Sequence, residues 1–299
     1  MKKMMMVAGL ALAMAGCCTT CQEQACAKSA CEKPECCAKK ACCAQKSWRE
    51  LAEKPMIVSH RGSRGEYDDN AAGGFAKCLK AGVRGFETDV RMTKDDRLII
   101  MHDGNVERTT TGKGKVCEMT FAEVTALKLK RSGENVPSLQ QLADVFKGAT
   151  GIRVEWEMKE NLKSLGSQAR LDDYCRKVHD TVVKTMEPGT YVFISFYADT
   201  LSTMRRLYPD APISLNVGKF ATKEAIDKAV ELGCCGVAPL LKGTTKEMVD
   251  YAHSKGLVVS LWMVQNEQDY ALSRSLGADT NTSDNPLTLL AAERAAKGK

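Results

Sequence analysis

From residue 56 onward the chain alternates between short apolar runs and longer stretches whose apolar residues recur every three or four positions. The short runs lie at 56–59, 85–90, 152–158, 191–195, 213–217, 236–239, 257–262 and 278–281. Runs of that length predict buried strands. The stretches between them, for example 71–81, 171–186, 223–232, 246–255 and 267–276, have the period of amphipathic helices. Thr120-Phe-Ala-Glu123 and Ser138-Leu-Gln-Gln141 carry the spacing of capping boxes at helix starts. Gly82, Gly233, Gly256 and Gly277 fall just past helix ends, where a left-handed residue is needed. Strands that alternate with helices predict a parallel sheet. Residues 47–299 number 253 by subtraction, close to the ~250 of an eight-fold β/α barrel. The prediction is an α/β fold, a TIM (β/α)8 barrel.

A ninth run, 98–101, follows 85–90 after too few residues for the crossover that parallel neighbours require. It predicts a β-hairpin inserted in the barrel. With Arg91 opposite Leu98, Glu87 falls opposite His102, an acid beside a histidine. No second domain and no long repeat emerges.

The first 46 residues have a different pattern. Lys2 and Lys3 precede an apolar run, 4–15, too short to span a membrane once mature. Met14-Ala15-Gly16-Cys17 resembles a bacterial lipoprotein cleavage box, so residues 1–16 are expected to be a lipoprotein-type signal peptide and Cys17 the lipidated residue. Fourteen cysteines suggest a disulfide scaffold until they are located: nine fall between Cys17 and Cys43. That segment, 17–46, is low in complexity and lacks the apolar side chains to bury a core. It is expected to be a disordered, Cys-rich stalk. A plain tether, disulfide cross-linking in an oxidising compartment, and soft-metal binding by thiolates all fit it. The expectation is export and anchoring in a membrane, in a periplasm or at a cell surface.

Composition narrows the partners. With 44% hydrophobic and 27% charged residues, the chain has ample material for a core. A net charge of +6, from 43 basic and 37 acidic residues, argues against a nucleic-acid binder.

Histidine is scarce, with four in the chain. His60 and His102 stand at the C-terminal ends of predicted strands, where barrel enzymes carry their catalytic groups. Two histidines there suit an acid and a base near neutral pH. His179 and His253 fall in amphipathic helices and read as surface or packing residues. Glu87 and Asp89 are two apart on one strand and share a face, as do Glu155, Glu157 and Lys159 on another. Carboxylates that converge inside a barrel repel one another unless a cation compensates. Oxygen donors favour Ca²⁺ or Mg²⁺; ion pairs with Lys159, Arg61 and Arg91 would serve as well. Arg61, beside His60, offers a fork for phosphate. Together these point to phosphoryl transfer, without a Walker loop and so without a nucleoside triphosphate.

At this point the residues resemble the glycerophosphodiester phosphodiesterase family over about residues 56–286. His60-Arg61-Gly62, Asn70, Glu87-Thr-Asp89-Val90, His102-Asp103, Arg108-Thr109-Thr110, Pro137-Ser138-Leu139, Glu157-Met158-Lys159, Trp262 and Asp284-Asn285-Pro286 follow its motifs in order. The resemblance implies metal-dependent hydrolysis of a glycerophosphodiester to sn-glycerol 3-phosphate and an alcohol. It implies His60 and His102 as general acid and base, and Glu87, Asp89 and Glu157 as metal ligands. Arg61 and Lys159 would contact the phosphate, and Trp262 would line the substrate pocket. Where the family usually has Pro-Glu-Asn, this chain has Asp68-Asp69-Asn70, so Asp69, like Glu155, is an additional candidate. Two alternatives stand beside this reading. One is phospholipase D-like cleavage of lysophospholipid or sphingomyelin at a membrane; the other is a non-catalytic surface lipoprotein.

Overall fold

The computed structural model describes residues 56–297. The expectations for the signal peptide, for Cys17 and for the stalk lie outside the described residues. Eight parallel strands close into a barrel: β1 (Met56–His60), β2 (Gly85–Met92), β4 (Arg153–Met158), β5 (Tyr191–Ser195), β6 (Ile213–Asn216), β7 (Gly236–Ala238), β8 (Val258–Trp262) and β9 (Thr280–Ser283). The order is β1-β9-β8-β7-β6-β5-β4-β2, and a β1–β2 pairing closes the ring. The strands fall on the predicted runs except at the end, where β9 begins two residues later than predicted. Gly277 and Ala278 are used in closing the preceding helix, through Ala278 N to Ser273 O at 3.2 Å.

Helices cover the outside. The main ones are α1 (Ala72–Ala81), α5 (Gln168–Thr185), α6 (Ala198–Leu207), α7 (Lys223–Glu231), α8 (Lys246–Ser254), α9 (Glu267–Leu276) and α10 (Pro286–Lys297). Three short ones are α2 (Phe121–Ala126), α3 (Leu139–Val145) and α4 (Leu162–Leu165). Both predicted capping boxes are formed, at the starts of α2 and α3. The layer between barrel and helices is the hydrophobic core. Phe86 and Trp156 point outward from their strands into it and meet Phe75 and Phe146, with the Phe86 and Phe146 rings 4.8 Å apart. Alternation along β2 and β4 therefore turns Glu87, Asp89, Glu155 and Glu157 into the barrel.

The inserted hairpin is present, but its register is one residue off the prediction. β3 (Leu98–Ile100) pairs antiparallel to β2 with Met92 opposite Leu98 and Arg91 opposite Ile99. The turn is a three-residue loop, Lys94-Asp95-Asp96, closed by Thr93 N donating to Arg97 O at 2.9 Å, with Asp96 left-handed at φ 55°. A four-residue turn would have given the predicted pairing. The consequence is that Met101, not Ile100, lies across from Asp89, with Met101 N donating to Asp89 O at 3.0 Å, and the predicted pairing of Glu87 with His102 is not formed. Glu87 instead meets His60, its register partner on β1.

Candidate active site

β1 and β2 present His60 and Glu87 at the C-terminal mouth of the barrel, with His60 Nε2 3.7 Å from Glu87 Oε2. Just beyond β1 the chain turns sharply. Arg61 and Asn70 are left-handed, at φ 51° and 60°, a conformation that costs free energy and persists only where the surroundings fix it. Arg61 N is held by Glu87, through its carbonyl at 2.9 Å and its side chain at 3.1 Å. Gly65 lets this turn reach the other end of the chain, since a Cβ there would lie 2.1 Å from Asn285 Oδ1.

That approach places Asp284 against His60. His60 Nδ1 lies 2.5 Å from Asp284 Oδ1, so the Nδ1–H donates and Nε2 is left as the base. Gln265 Nε2 donates to the other Asp284 oxygen at 2.7 Å. Burial lowers the His60 pKa, against the pull of Asp284. Asp284 is itself held below the usual carboxylate range: burial would raise it, but the hydrogen bond and charge of His60 outweigh that.

His102 has the same arrangement on the opposite, more open side. Its Nδ1 lies 2.7 Å from Asp103 Oδ1, and Arg91 Nε donates to its carbonyl at 2.8 Å. Burial pushes the ring down to about 4, opposed by Asp89 and aided by the charges of Lys159 and Arg61. Arg91 is thus absent from the acidic cluster; it pairs with Glu160 at 3.2 Å.

Between the histidines, Glu87, Asp89 and Glu157 offer oxygens within 4.8 Å of one another, all buried. Two cations face them. Lys159 Nζ is 2.6 Å from Glu157 and 3.4 Å from Asp89, and Arg61 Nε is 3.5 Å from Asp89. Three carboxylates against two cations leave an excess of negative charge. Burial, then Asp89 and Glu157, raise Glu87 well above the usual range. Burial would raise Asp89 also, but Lys159 and Arg61 outweigh it and hold it low.

The cluster fits a hard divalent cation on its own chemistry. Its donors are all carboxylate oxygens, and Glu87 Oε1 and Asp89 Oδ1 are buried without a hydrogen-bond partner. Asn70 holds the other Asp89 oxygen at 2.8 Å, and Thr88 orients Asn70. Glu155 is not among the three: it lies a layer deeper on β4, paired with Arg153 at 3.0 Å. Asp69 also stands apart from the cluster, 3.2 Å from Arg61.

A cavity opens over these groups. One wall is polar, from His60, Arg61 and His102; the opposite wall is apolar, from Ile194, Phe196 and Trp262. Trp262 Nε1 donates to Ala238 O at 2.8 Å, and its ring meets Phe196 edge-on at 5.8 Å. His179 and His253 are elsewhere, stacked on Tyr208 and bonded to Asp279.

Sequence reasoning brought together His60, Arg61, Glu87, Asp89, His102, Glu157, Lys159 and Trp262. It gave no role to Asp284, Asp103, Arg64 or Arg108. Asp103, Arg108 and Asp284 each stood in a quoted motif, Asp103 directly beside His102, and that was the available signal; Arg64 carried none.

A model of the "Glycerophosphoryl diester phosphodiesterase family" matches residues 60–288. The chain is 24% identical over 247 residues to a glycerophosphodiester phosphodiesterase of Caldanaerobacter subterraneus, covering 79% of this chain and 97% of that one. It is 26% identical over 234 residues to one from Bacillus subtilis, covering 73% and 79%. In fold it is similar to an Oleispira antarctica phosphodiesterase solved with its product sn-glycerol 3-phosphate, at TM-score 0.73 and 20% identity, covering 82% and 98%.

Proposed function

The chain belongs to the glycerophosphoryl diester phosphodiesterase family, and from that membership we propose how its own residues cleave a glycerophosphodiester to sn-glycerol 3-phosphate and an alcohol. The observation that carries the reading is the pair of carboxylate-held histidines on either side of one acidic cluster.

Glu87, Asp89 and Glu157 would hold a divalent cation, Ca²⁺ or Mg²⁺, which when bound neutralises phosphate oxygens and acidifies a hydroxyl. Arg61 and Lys159 bind the phosphate and orient it. His60 Nε2 takes the proton of the neighbouring glycerol hydroxyl as its oxygen bonds to phosphorus. Asp284 stabilises the imidazolium that forms. The bond from phosphorus to the alcohol breaks, and His102 donates the proton that the alcohol needs. His102 is the more exposed of the two, and the alcohol side must open to solvent to admit groups of different size. The cyclic phosphate is then opened by water with the two roles reversed. Burial, and after it the charges of Lys159 and Arg61, depress His102, and the bound substrate anion offsets those two charges.

Phosphorus NMR of the products from glycerophosphocholine tests the reaction. Glycerol 3-phosphate and choline are expected; phosphocholine and glycerol would contradict the direction of cleavage. Export and lipid anchoring at Cys17 belong to the same proposal, supported by Lys2-Lys3, the apolar run and the small residues before Cys17. Labelled palmitate should enter the full chain and not Cys17→Ser.

A further inference from the structure

Asp69 sits among three arginines. Its carboxylate is 2.8 Å from Arg108 Nη2, 3.2 Å from Arg61 Nη1 and 3.8 Å from Arg64 Nε. Two of these arginines reach onward to the carboxylates that hold the histidines. Arg108 Nε donates to Asp103 Oδ2, whose partner oxygen holds His102. Arg64 Nε is 3.6 Å from Asp284 Oδ1, the oxygen that holds His60. The result is a continuous series of contacts, His60–Asp284–Arg64–Asp69–Arg108–Asp103–His102, with carboxylates and arginines alternating between the two histidines.

We propose that Asp69 is a positioning residue that anchors both histidine–carboxylate pairs at once, by holding Arg64 and Arg108 so that each meets its carboxylate, Asp284 or Asp103, through Nε. The proposal rests on the reading of His60 and His102 as the two proton carriers. Its logic is competition. An arginine fork binds a carboxylate more strongly than a neutral imidazole does. With Asp69 neutral, Arg108 and Arg64 turn fully to Asp103 and Asp284, and each histidine loses part of its hold. Arg61 also loses a counter-charge, so it meets the substrate phosphate more freely. Proton transfer is therefore weakened while phosphate binding is not.

The test uses the full chain with Asp69→Asn, Asp69→Glu, Arg64→Gln and Arg108→Gln. In Asp69→Asn, kcat on glycerophosphocholine should fall about 10²-fold, about tenfold through each histidine, with KM unchanged or lower. Asp69→Glu keeps the carboxylate and should recover most of the loss. The downfield proton signals of His60 and His102 Nδ1–H, assigned by their absence in His60→Ala and His102→Ala, give a second readout. Asp69→Asn should shift both, Arg64→Gln that of His60 alone, and Arg108→Gln that of His102 alone. Equal loss in Asp69→Glu, a rise in KM with kcat retained, or unmoved proton signals would overturn the proposal. Should Asp69→Asn fail to fold, the two arginine variants must each lower kcat and move one signal; if neither does, the proposal falls. Full turnover in His60→Ala and His102→Ala would instead refute the reading beneath it.

Discussion

Asp284→Asn separates a histidine that is merely packed from one that is held for proton transfer. Asp284 accepts from His60 Nδ1 at 2.5 Å on one oxygen and from Gln265 Nε2 at 2.7 Å on the other. An asparagine side chain in the same place has one oxygen and one amide nitrogen. Gln265 Nε2 is a donor and claims the oxygen, so the new amide N–H₂ points at His60. His60 Nδ1 must then accept, which moves its proton to Nε2 and removes the base from the reacting side. The charge-assisted hydrogen bond lost is worth about 1.5–3 kcal/mol, or about ten- to 150-fold in rate at 1.36 kcal/mol per decade, and the wrong tautomer adds to that. We expect kcat/KM on glycerophosphocholine to fall by at least about 10²-fold, with KM nearly unchanged and the thermal midpoint within a few degrees of the parent. Asp284→Ala should retain more activity than Asp284→Asn, because it imposes no tautomer. Asp284→Asn within about fivefold of the parent, or no better activity in the alanine variant, would refute this account of His60.

Four further outcomes follow from the structure. Ca²⁺ or Mg²⁺ at about 100-fold over Kd should add about 2.7 kcal/mol to stability, or about 5–10 °C in Tm for a domain of this size; Glu87→Gln should abolish the shift in a calorimetric scan. His102 falls to about 4 in the folded protein from 6.5, so the unfolded chain binds the extra proton between those values and stability drops as pH is lowered from 6.5 to 4. His102→Asn should flatten that part of a Tm–pH curve, and an unchanged slope would contradict it. Phe146→Ala opens a cavity among Phe75, Phe86 and Trp156 and should cost about 3–5 kcal/mol, read as a lower urea midpoint. Deleting residues 18–46 should leave kcat/KM for a soluble substrate within a few-fold; a loss of 10²-fold would place the stalk in the site or the fold.

The barrel was legible because its strands and helices differ in period and because helix ends carry local chemistry. Thr120 with Glu123 and Ser138 with Gln141 form caps within four residues of sequence, so spacing alone finds them. The acidic cluster was legible for the same reason, since Glu87 and Asp89 alternate with Phe86 and Val90 on one strand. The hairpin register was not, because the left-handed Asp96 and the Thr93–Arg97 closure set the loop length, and neither shows in a run of apolar residues. Arg64 was invisible for a different reason. It lies in a loop without periodicity, and its partner is brought to it by closure of the barrel: Arg64 meets Asp284 only because the first and last strands pair.

The central claim is that two histidines astride a cation-binding acidic cluster cleave a glycerophosphodiester. Its most direct test is release of sn-glycerol 3-phosphate from glycerophosphocholine by the purified chain, with Ca²⁺, with Mg²⁺ and with chelator, beside His60→Ala and His102→Ala. The account predicts turnover that chelator abolishes and that falls by orders of magnitude in both variants. Turnover that survives in either variant, or that ignores the chelator, would contradict it.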